Sequence, residues 1–326
     1  MTQTSTSDKG SEVAVTADNF VHAESHMYFS NAVRQGGFGK FHHYRVPMPI
    51  DHQDVVRANR DTLYSAAVFD LDAGPVMITL PDSGGRFRSL FAISEGEYVA
   101  FVGYDAGSYT LSRDKIGSRY VLAGMRTLVN PEDRDDIAKV CSLQDEVKVS
   151  KADPGDFAVP NWDPVSQKTV RDALLTLSAT LPDMRHAFGA ESDVDPIRHF
   201  IAAASAWGGN PDKEAIYLNV VPPKNDGGTV YKLTVKDVPV DGFWSISVYN
   251  AQGYYEKNAQ NAYTINNLTA KRNADGTVSV QFGGCDGKVP NCLPITPGWN
   301  YMVRLYRPRP EILNGNWRFP EAQAAT

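Results

Sequence analysis

Apolar and polar positions alternate with a period of two through most of this chain, and with a period of three to four in only a few stretches. The first helical stretch runs from Val13 to Gln35, where Phe20, Ala23, Met27 and Val33 fall in threes and fours and Asp18 or Asn19 can cap the start. Pro47-Met48-Pro49 predicts an extended linker. Beyond it Ser65, Ala67, Phe69 and Leu71 alternate with Tyr64, Ala66, Val68 and Asp70, the pattern of a strand. Gly74-Pro75 and Pro81-Asp82-Ser83-Gly84-Gly85 punctuate further strand candidates at Val76–Leu80, Arg86–Phe91 and Tyr98–Val102, and the glycine turn at Asp82 reads as a hairpin. Pro131-Glu132-Asp133 opens a helix to about Val147, with proline in the first turn and acids against the helix dipole.

A proline-rich linker over residues 153–164 leads to two helices. One spans Val165–Leu181 and the other Pro196–Trp207, closed by Gly208-Gly209-Asn210-Pro211. Strands return at Ile216–Val221, Tyr231–Val235, Trp244–Tyr249, Val278–Phe282 and Asn300–Tyr306. Asn225–Gly228 and Asn273–Gly276 carry the residues of hairpin turns. Short strands between Gly, Pro and Asp turns predict a mainly β fold of two antiparallel β-sandwich or jelly-roll-like domains, with a helical segment packed between them. The boundaries fall at 1–16 (disordered tail), 17–160 (first β domain), 161–209 (helical segment) and 210–326 (second β domain).

The 326 residues suffice for two cores, and 42% hydrophobic with 21% charged residues is a globular balance. A net charge of −6 without a Lys/Arg cluster argues against a nucleic-acid partner. No apolar run reaches the length of a membrane span, and Met1–Thr16 lacks the apolar stretch of a secretory signal, so no membrane partner and a cytoplasmic location are expected. Oligomeric state stays open, a homo-oligomer included. Cys141 falls in a helical pattern and reads as a small core residue. Cys285 and Cys292 flank a loop short enough for a disulfide, but in a cytoplasmic protein they are expected reduced.

The densest chemistry is Asn59-Arg60-Asp61-Thr62-Leu63-Tyr64-Ser65, at the mouth of the apolar strand Ala66–Phe69. Burying either charge alone costs several kcal/mol, so the pair must be mutually bonded or solvated in a cleft. As sequence neighbours on a strand, Arg60 and Asp61 point to opposite faces unless a bulge or turn intervenes. The catalytic reading makes Asp61 a base, Arg60 an anion holder and Tyr64 a donor, with Asn59 and Thr62 binding ligand. The competing reading is a structural network at a domain junction. In the second domain Trp244, Ile246 and Val248 share one strand face, and Phe243, Ser245, Ser247 and Tyr249 the other. Trp299, Tyr301, Val303 and Leu305 likewise oppose Asn300, Met302, Arg304 and Tyr306. Trp244, Tyr249, Arg304 and Tyr306 are therefore candidates to line a pocket, unless those faces are solvated or covered by the middle helices.

Other signals are weaker. His22 and His26 share a helix face at metal-ligand spacing, but no glutamate follows the first histidine, so polar histidines and no metal are preferred. Gly36-Gly37-Phe38-Gly39-Lys40 lacks the Ser/Thr and the spacing of a phosphate loop, and no cofactor motif is present. Cys292 has no neighbouring histidine to activate a thiolate.

Several motifs together resemble the bacterial proteins that pair two domains of unknown function, DUF1254 followed by DUF1214. The first module is carried by Asp18-Asn19-Phe20 with Ala23-Glu24, the Asn59–Ser65 run, Leu80-Pro81-Asp82 with Gly85-Arg86, and Arg126-Thr127-Leu128-Val129. The second is carried by Trp207-Gly208-Gly209, Phe243-Trp244-Ser245 with Tyr249-Asn250, Asn291-Cys292-Leu293-Pro294, and Arg304–Pro308 with Trp317. The resemblance implies β-sandwich or jelly-roll-like domains with helices and little specific chemistry. Many relatives carry tryptophan at Cys292, so it implies no common thiol mechanism. The reading that follows is an enzyme of hydrolase-like acid–base chemistry on a small organic molecule, without an organic cofactor. The alternatives are a non-catalytic binder of a carbohydrate or small metabolite, and a purely structural role.

Overall fold

A computed structural model describes residues 11–53 and 55–325. The first half holds strands β1 (His42–His43), β2 (Thr62–Asp70), β3 (Val76–Leu80), β4 (Arg88–Ser94), β5 (Val99–Gly103), β6 (Gly107–Leu111), β7 (Tyr120–Leu128) and β8 (Lys148–Ser150). They form a five-stranded sheet, ordered β1-β2-β7-β4-β5, and a three-stranded sheet, β6-β3-β8, all antiparallel. Ala67, Phe69, Leu90 and Met125 of the larger sheet pack on Val76, Ile78 and Leu80 of the smaller. The turns at Gly74 and at Pro81–Gly85 therefore lead from one sheet to the other; Asp82–Gly84 is a crossover and not a hairpin.

The second half holds β9 (Ala215–Val220), β10 (Tyr231–Val235), β11 (Trp244–Tyr249), β12 (Thr264–Asn266), β13 (Val278–Phe282), β14 (Cys292–Leu293), β15 (Asn300–Tyr306) and β16 (Gln323–Ala324). Two four-stranded sheets, β14-β13-β10-β16 and β12-β11-β15-β9, enclose a core around Trp299, Phe282, Ile246 and Tyr301. Only β13 and β14 run parallel among the described pairs. Asn225–Gly228 and Asn273–Gly276 turn the chain between sheets, so neither joins a paired hairpin.

The helices are α1 (Phe20–Arg34), α2 (Arg113–Ile116), α3 (Arg134–Asp145), α4 (Pro164–Ser178), α5 (Pro196–Ser205) and α6 (Pro310–Leu313). Asp133, Asp163 and Asp195 cap α3, α4 and α5 by accepting from the next backbone N–H groups, so the third helix starts after the predicted Pro131. Phe20 and Ala23 of α1 pack with Leu174 of α4 and Ile201 of α5. The opposite side of α1 places Phe29 and Ala32 against Val68, Tyr120 and Leu122, on the outer face of the five-stranded sheet. Among the described residues no helix is long and apolar enough to cross a membrane.

Two expectations need correction. Residues 1–10 of the expected tail lie outside the described residues, but Val13 forms a bridge with Trp162 and Val15 is buried with its N–H on Ser166 Oγ, so the chain is docked at Val13–Val15. Cys285 and Cys292, expected reduced, form a disulfide with Cα atoms 5.6 Å apart, because the turn between them brings the two ends together. Cross-linking a loop of this length (separation 7) contributes roughly 2–3 kcal/mol by the loop-closure model. Reducing agent is expected to lower the melting temperature of the wild type and leave the Cys285→Ser/Cys292→Ser variant unchanged. Free-thiol titration that finds all three cysteines in the native protein would refute the bridge.

Candidate functional site

The two sandwiches meet directly. Leu128 and Phe87 of the first pack on Phe243, Ala215 and Tyr306 of the second, with Phe243 and Tyr306 stacked at 4.3 Å. The junction has a polar side because of the strand pairing itself. Cross-strand partners share a face, so Asn266 and Arg304 flank Ser245, while Tyr217 sits opposite Arg304. This is the predicted polar face of β11 and β15. It is covered by the 57–64 segment of the first sandwich and not by solvent or by the middle helices.

Arg304, 2% exposed, is the centre of that contact. Its Nη2 donates to the carbonyls of Arg57 (2.8 Å) and Ala58 (3.1 Å) and to the Tyr249 hydroxyl (2.7 Å), and its Nη1 to Ser247 Oγ (2.9 Å). Tyr249 and Tyr255 donate to the same Ala58 carbonyl, at 2.7 and 2.9 Å. Burial works against the Arg304 charge, but Tyr249, Tyr255, Tyr306 and Asp61 favour it and hold its pKa well above the ordinary value.

Arg60 and Asp61 do not pair. Asp61, fully buried, accepts from Thr264 Oγ1 at 2.8 Å and Asn266 Nδ2 at 3.0 Å, and its backbone N–H donates to Asn59 Oδ1 at 2.7 Å. Arg60 turns the other way, donating to the Met48 carbonyl, lying 3.7 Å from Glu132 and covering the Tyr263 ring at 5.4 Å. The requirement that the two charges be bonded to each other or solvated is thus replaced by separate partners across the junction. Asp61 Oδ2, Ser245 Oγ, Arg57 Nε and Arg60 Nε lie buried there without a hydrogen-bond partner. Trp244 points to the opposite face of β11, into the sandwich core beside Phe319, away from the other candidates.

Tyr64, Asn59, Thr62 and Tyr306 do come together, around a residue that no candidate list contained. Arg126 on β7 pairs in register with Tyr64 and Ser89 and is 8% exposed. Its Nη1 donates to Asn210 Oδ1 (3.2 Å) and its Nη2 to the Gly208 carbonyl (3.3 Å), and its guanidinium lies over the Phe91 ring at 4.3 Å. Among the described residues no carboxylate comes within 4.0 Å of it. Its neighbours are instead the phenols of Tyr64, Tyr217 and Tyr306, which favour its charge more than burial opposes it, so its pKa is raised. Asn210 Nδ2 donates to the Tyr217 hydroxyl (2.6 Å), and Asn59 Nδ2 to that of Tyr306 (3.1 Å) and to Thr62 Oγ1 (3.4 Å). Burial beside Tyr217 and Tyr64 pushes the Tyr306 phenol well above its ordinary value, so it stays a hydrogen-bond donor. A buried cation ringed by phenols and amides can hold an anionic oxygen.

The turn that delivers Asn210 is itself constrained. Gly208 takes φ +77°, and a Cβ at Gly209 would sit 2.3 Å from the Phe188 ring. Glu97, also left-handed at φ +61°, accepts from the Gly208 N–H at 2.9 Å, while its Oε2 is buried and unpartnered. Burial, with Glu24 nearby, pushes its carboxyl up to about 8. The folded protein keeps that proton, whereas the unfolded chain releases it in the ordinary range. Stability is therefore lost as pH rises from about 4.5 through about 8. Denaturant titration is expected to show a loss of roughly 3–5 kcal/mol across that window in the wild type and a flatter profile in Glu97→Gln. A wild-type profile as flat as that of the variant would contradict the assignment.

Asp61 has a simpler test. Asp61→Ala strands the Thr264 and Asn266 donors and is expected to cost roughly 3 kcal/mol, with Asp61→Asn milder because an acceptor survives. Equal stability of all three proteins in urea would remove its anchoring role.

Comparison with known proteins fits this division. The description "Protein of unknown function (DUF1254)" matches residues 38–95, and "Protein of unknown function (DUF1214)" matches residues 222–310. The VPA0106 protein from Vibrio parahaemolyticus superposes with a TM-score of 0.72 at 17% identity, over 95% of this chain and 98% of its own. A putative uncharacterized protein from Burkholderia cenocepacia does so at 0.50 and 14%, over 89% and 84%. These likenesses are of fold. No curated protein matches the chain. The Asn59–Tyr64 segment lies in the first matched stretch, Tyr249, Arg304 and Tyr306 lie in the second, and Arg126, Asn210 and Tyr217 lie outside both. The chain belongs to the family of proteins that join a DUF1254 module to a DUF1214 module.

Proposed function

We propose that this protein binds a small organic acid at the junction of its two sandwiches, with the acid's anionic oxygens on Arg126 and hydrogen bonds from Tyr64, Tyr217 and Tyr306. The observation that carries this reading is the buried guanidinium without a carboxylate partner. Arg304, likewise buried without an acid, fills its fork with carbonyl and hydroxyl acceptors at 2.7–3.1 Å, whereas Arg126 donates to Asn210 and Gly208 at 3.2 and 3.3 Å, which leaves it weakly held for a purely structural role. Position at a domain interface supports the same reading.

The enzyme reading with Asp61 as base has one supporting observation, the unpartnered Oδ2. Against it stand the full burial of Asp61 and the two donors on Oδ1. A non-catalytic binder is the better account. The Cys285–Cys292 disulfide supports an oxidising compartment over a cytoplasmic one.

The test is a thermal-shift and calorimetric screen of small mono- and dicarboxylates on the wild type and Arg126→Gln. A binding acid is expected to raise the wild-type melting temperature, and the variant to lose affinity by about 10- to 100-fold. Equal binding by a correctly folded variant would place the site elsewhere, and turnover of a bound acid that Asp61→Asn abolishes would restore the enzyme reading.

A further inference from the structure

The turn that holds Arg126 is itself held by an acid. Gly208 is bonded on both sides: its carbonyl accepts from Arg126 Nη2 at 3.3 Å, and its N–H donates to Glu97 Oε1 at 2.9 Å. One glycine thus joins a buried cation to a buried carboxyl group. Asn210, the other acceptor of Arg126, lies two residues further along the same turn.

Glu97 sits in the turn between β4 and β5, where its backbone N–H donates to the Ser94 carbonyl at 2.9 Å. It is 1% exposed, and its second oxygen, Oε2, is buried without a partner. Its titratable neighbours do not neutralise it. From α1, Glu24 and the Tyr28 phenol act on it, and Glu24 is already taken by Arg171 and Gln167. From its own turn come Glu95, paired with His26 at 2.7 Å, and Tyr98. From α5 comes His199, whose ring nitrogens lie 2.9 Å from the Gly96 and Ala187 carbonyls. Among the described residues no lysine, arginine or histidine nitrogen comes within 4.0 Å of Glu97.

A neutral acid fits such a place and a carboxylate does not. Burial raises its pKa to about 8 against the Gly208 bond, and Glu24 adds to the rise. An ionised Glu97 has no counter-ion, so it must reach water or admit water, and either parts it from the Gly208 N–H. The turn then loses the bond that fixes its first glycine, and with it the placement of both acceptors that hold Arg126.

Resting on the organic-acid reading above, we infer that Glu97 is a proton switch on that site: protonated, it lets the turn hold Arg126 for the acid, and ionised, it releases both. Glu97 is a positioning residue, since it touches Gly208 and not the ligand. Its negative charge acts in the same direction, because it opposes an anion on Arg126. Affinity is therefore full below about pH 8 and falls as pH rises through it. By linkage, the bound acid raises the proton affinity of Glu97 by the same factor.

Two measurements on the folded protein from about pH 6.5 to about pH 9 test this, on the wild type and on Glu97→Gln. The variant keeps an acceptor for the Gly208 N–H and carries no charge. By NMR, the Gly208 carbonyl carbon and the Arg126 guanidinium carbon are expected to titrate with one midpoint in the wild type and to stay still in the variant. Calorimetry uses acetate, benzoate and fumarate, all ionised throughout that range. Each acid that binds is expected to weaken by about tenfold across the range in the wild type, with proton uptake on binding, and to keep one affinity in the variant. An Arg126 carbon that stays still while the Glu97 carboxyl titrates, or a wild-type affinity equal at both ends, overturns the switch and leaves the organic-acid reading standing. If none of the three acids binds at either end, the reading and the switch fall together.

Discussion

The fork of Arg304 is the interaction on which the rest of the molecule depends. One guanidinium, carried on the central strand of a sheet in the second sandwich, grips two consecutive backbone carbonyls of the first. Those carbonyls belong to Arg57 and Ala58, shortly ahead of Asp61 and of β2, which carries Tyr64. Buried peptide oxygens need donors, and a loop crossing a domain junction cannot supply its own. Arg304 supplies them, and Tyr249 and Tyr255 complete the set on Ala58. With that loop fixed, Asp61 meets Thr264 and Asn266, and Asn59 reaches Tyr306.

The same constraint explains where the proposed binding site sits. The outer face of the five-stranded sheet is shared by two coverings. Helix α1 takes the end near Tyr120 and Leu122, and the second sandwich takes the end at Leu128. Arg126 lies on β7 between Leu122 and Leu128, at the seam of the two coverings, with Tyr217 and Tyr306 of the second sandwich beside it. The Trp207–Asn210 turn arrives there from the helical segment, so all three parts of the chain contribute to one place: Tyr64 and Arg126, Asn210, and Tyr217 with Tyr306. Both glycines of that turn are needed on steric grounds, one for its left-handed φ and one for the Phe188 ring. A site assembled this way requires the two modules to be joined, which gives a physical reason for one chain to carry both.

Much of the fold was legible in the sequence, and the reason is the period of two. β3, β10 and β13 alternate buried and exposed positions, and their ends agree with the predicted ones to the residue. β7 escaped detection because Gly124, Arg126 and Thr127 interrupt its apolar run, whereas the equally buried β11 and β15 are marked by aromatic and aliphatic residues at alternate positions. The predicted hairpins failed for a different reason. Turn residues show that the chain reverses, but whether it returns to the same sheet or crosses to the facing one depends on where the core lies.

By itself the sequence determined two mainly antiparallel β halves, a helical segment between them in the chain, and a polar cluster at Asn59–Tyr64 whose charges demanded partners. Only the tertiary structure decided who those partners are. Asp61 finds Thr264 and Asn266, more than 200 positions away (separations 203 and 205), and Arg60 turns from its neighbour to Met48 and Glu132. Cys285 and Cys292 had the right spacing, but pairing them depended on the turn that holds their Cα atoms 5.6 Å apart. Arg126 was visible as a letter and not as a site, because an unpaired buried charge is defined by what fails to approach it. Local pattern records which face of a strand meets water; it carries no record of which distant side chains share the dry face.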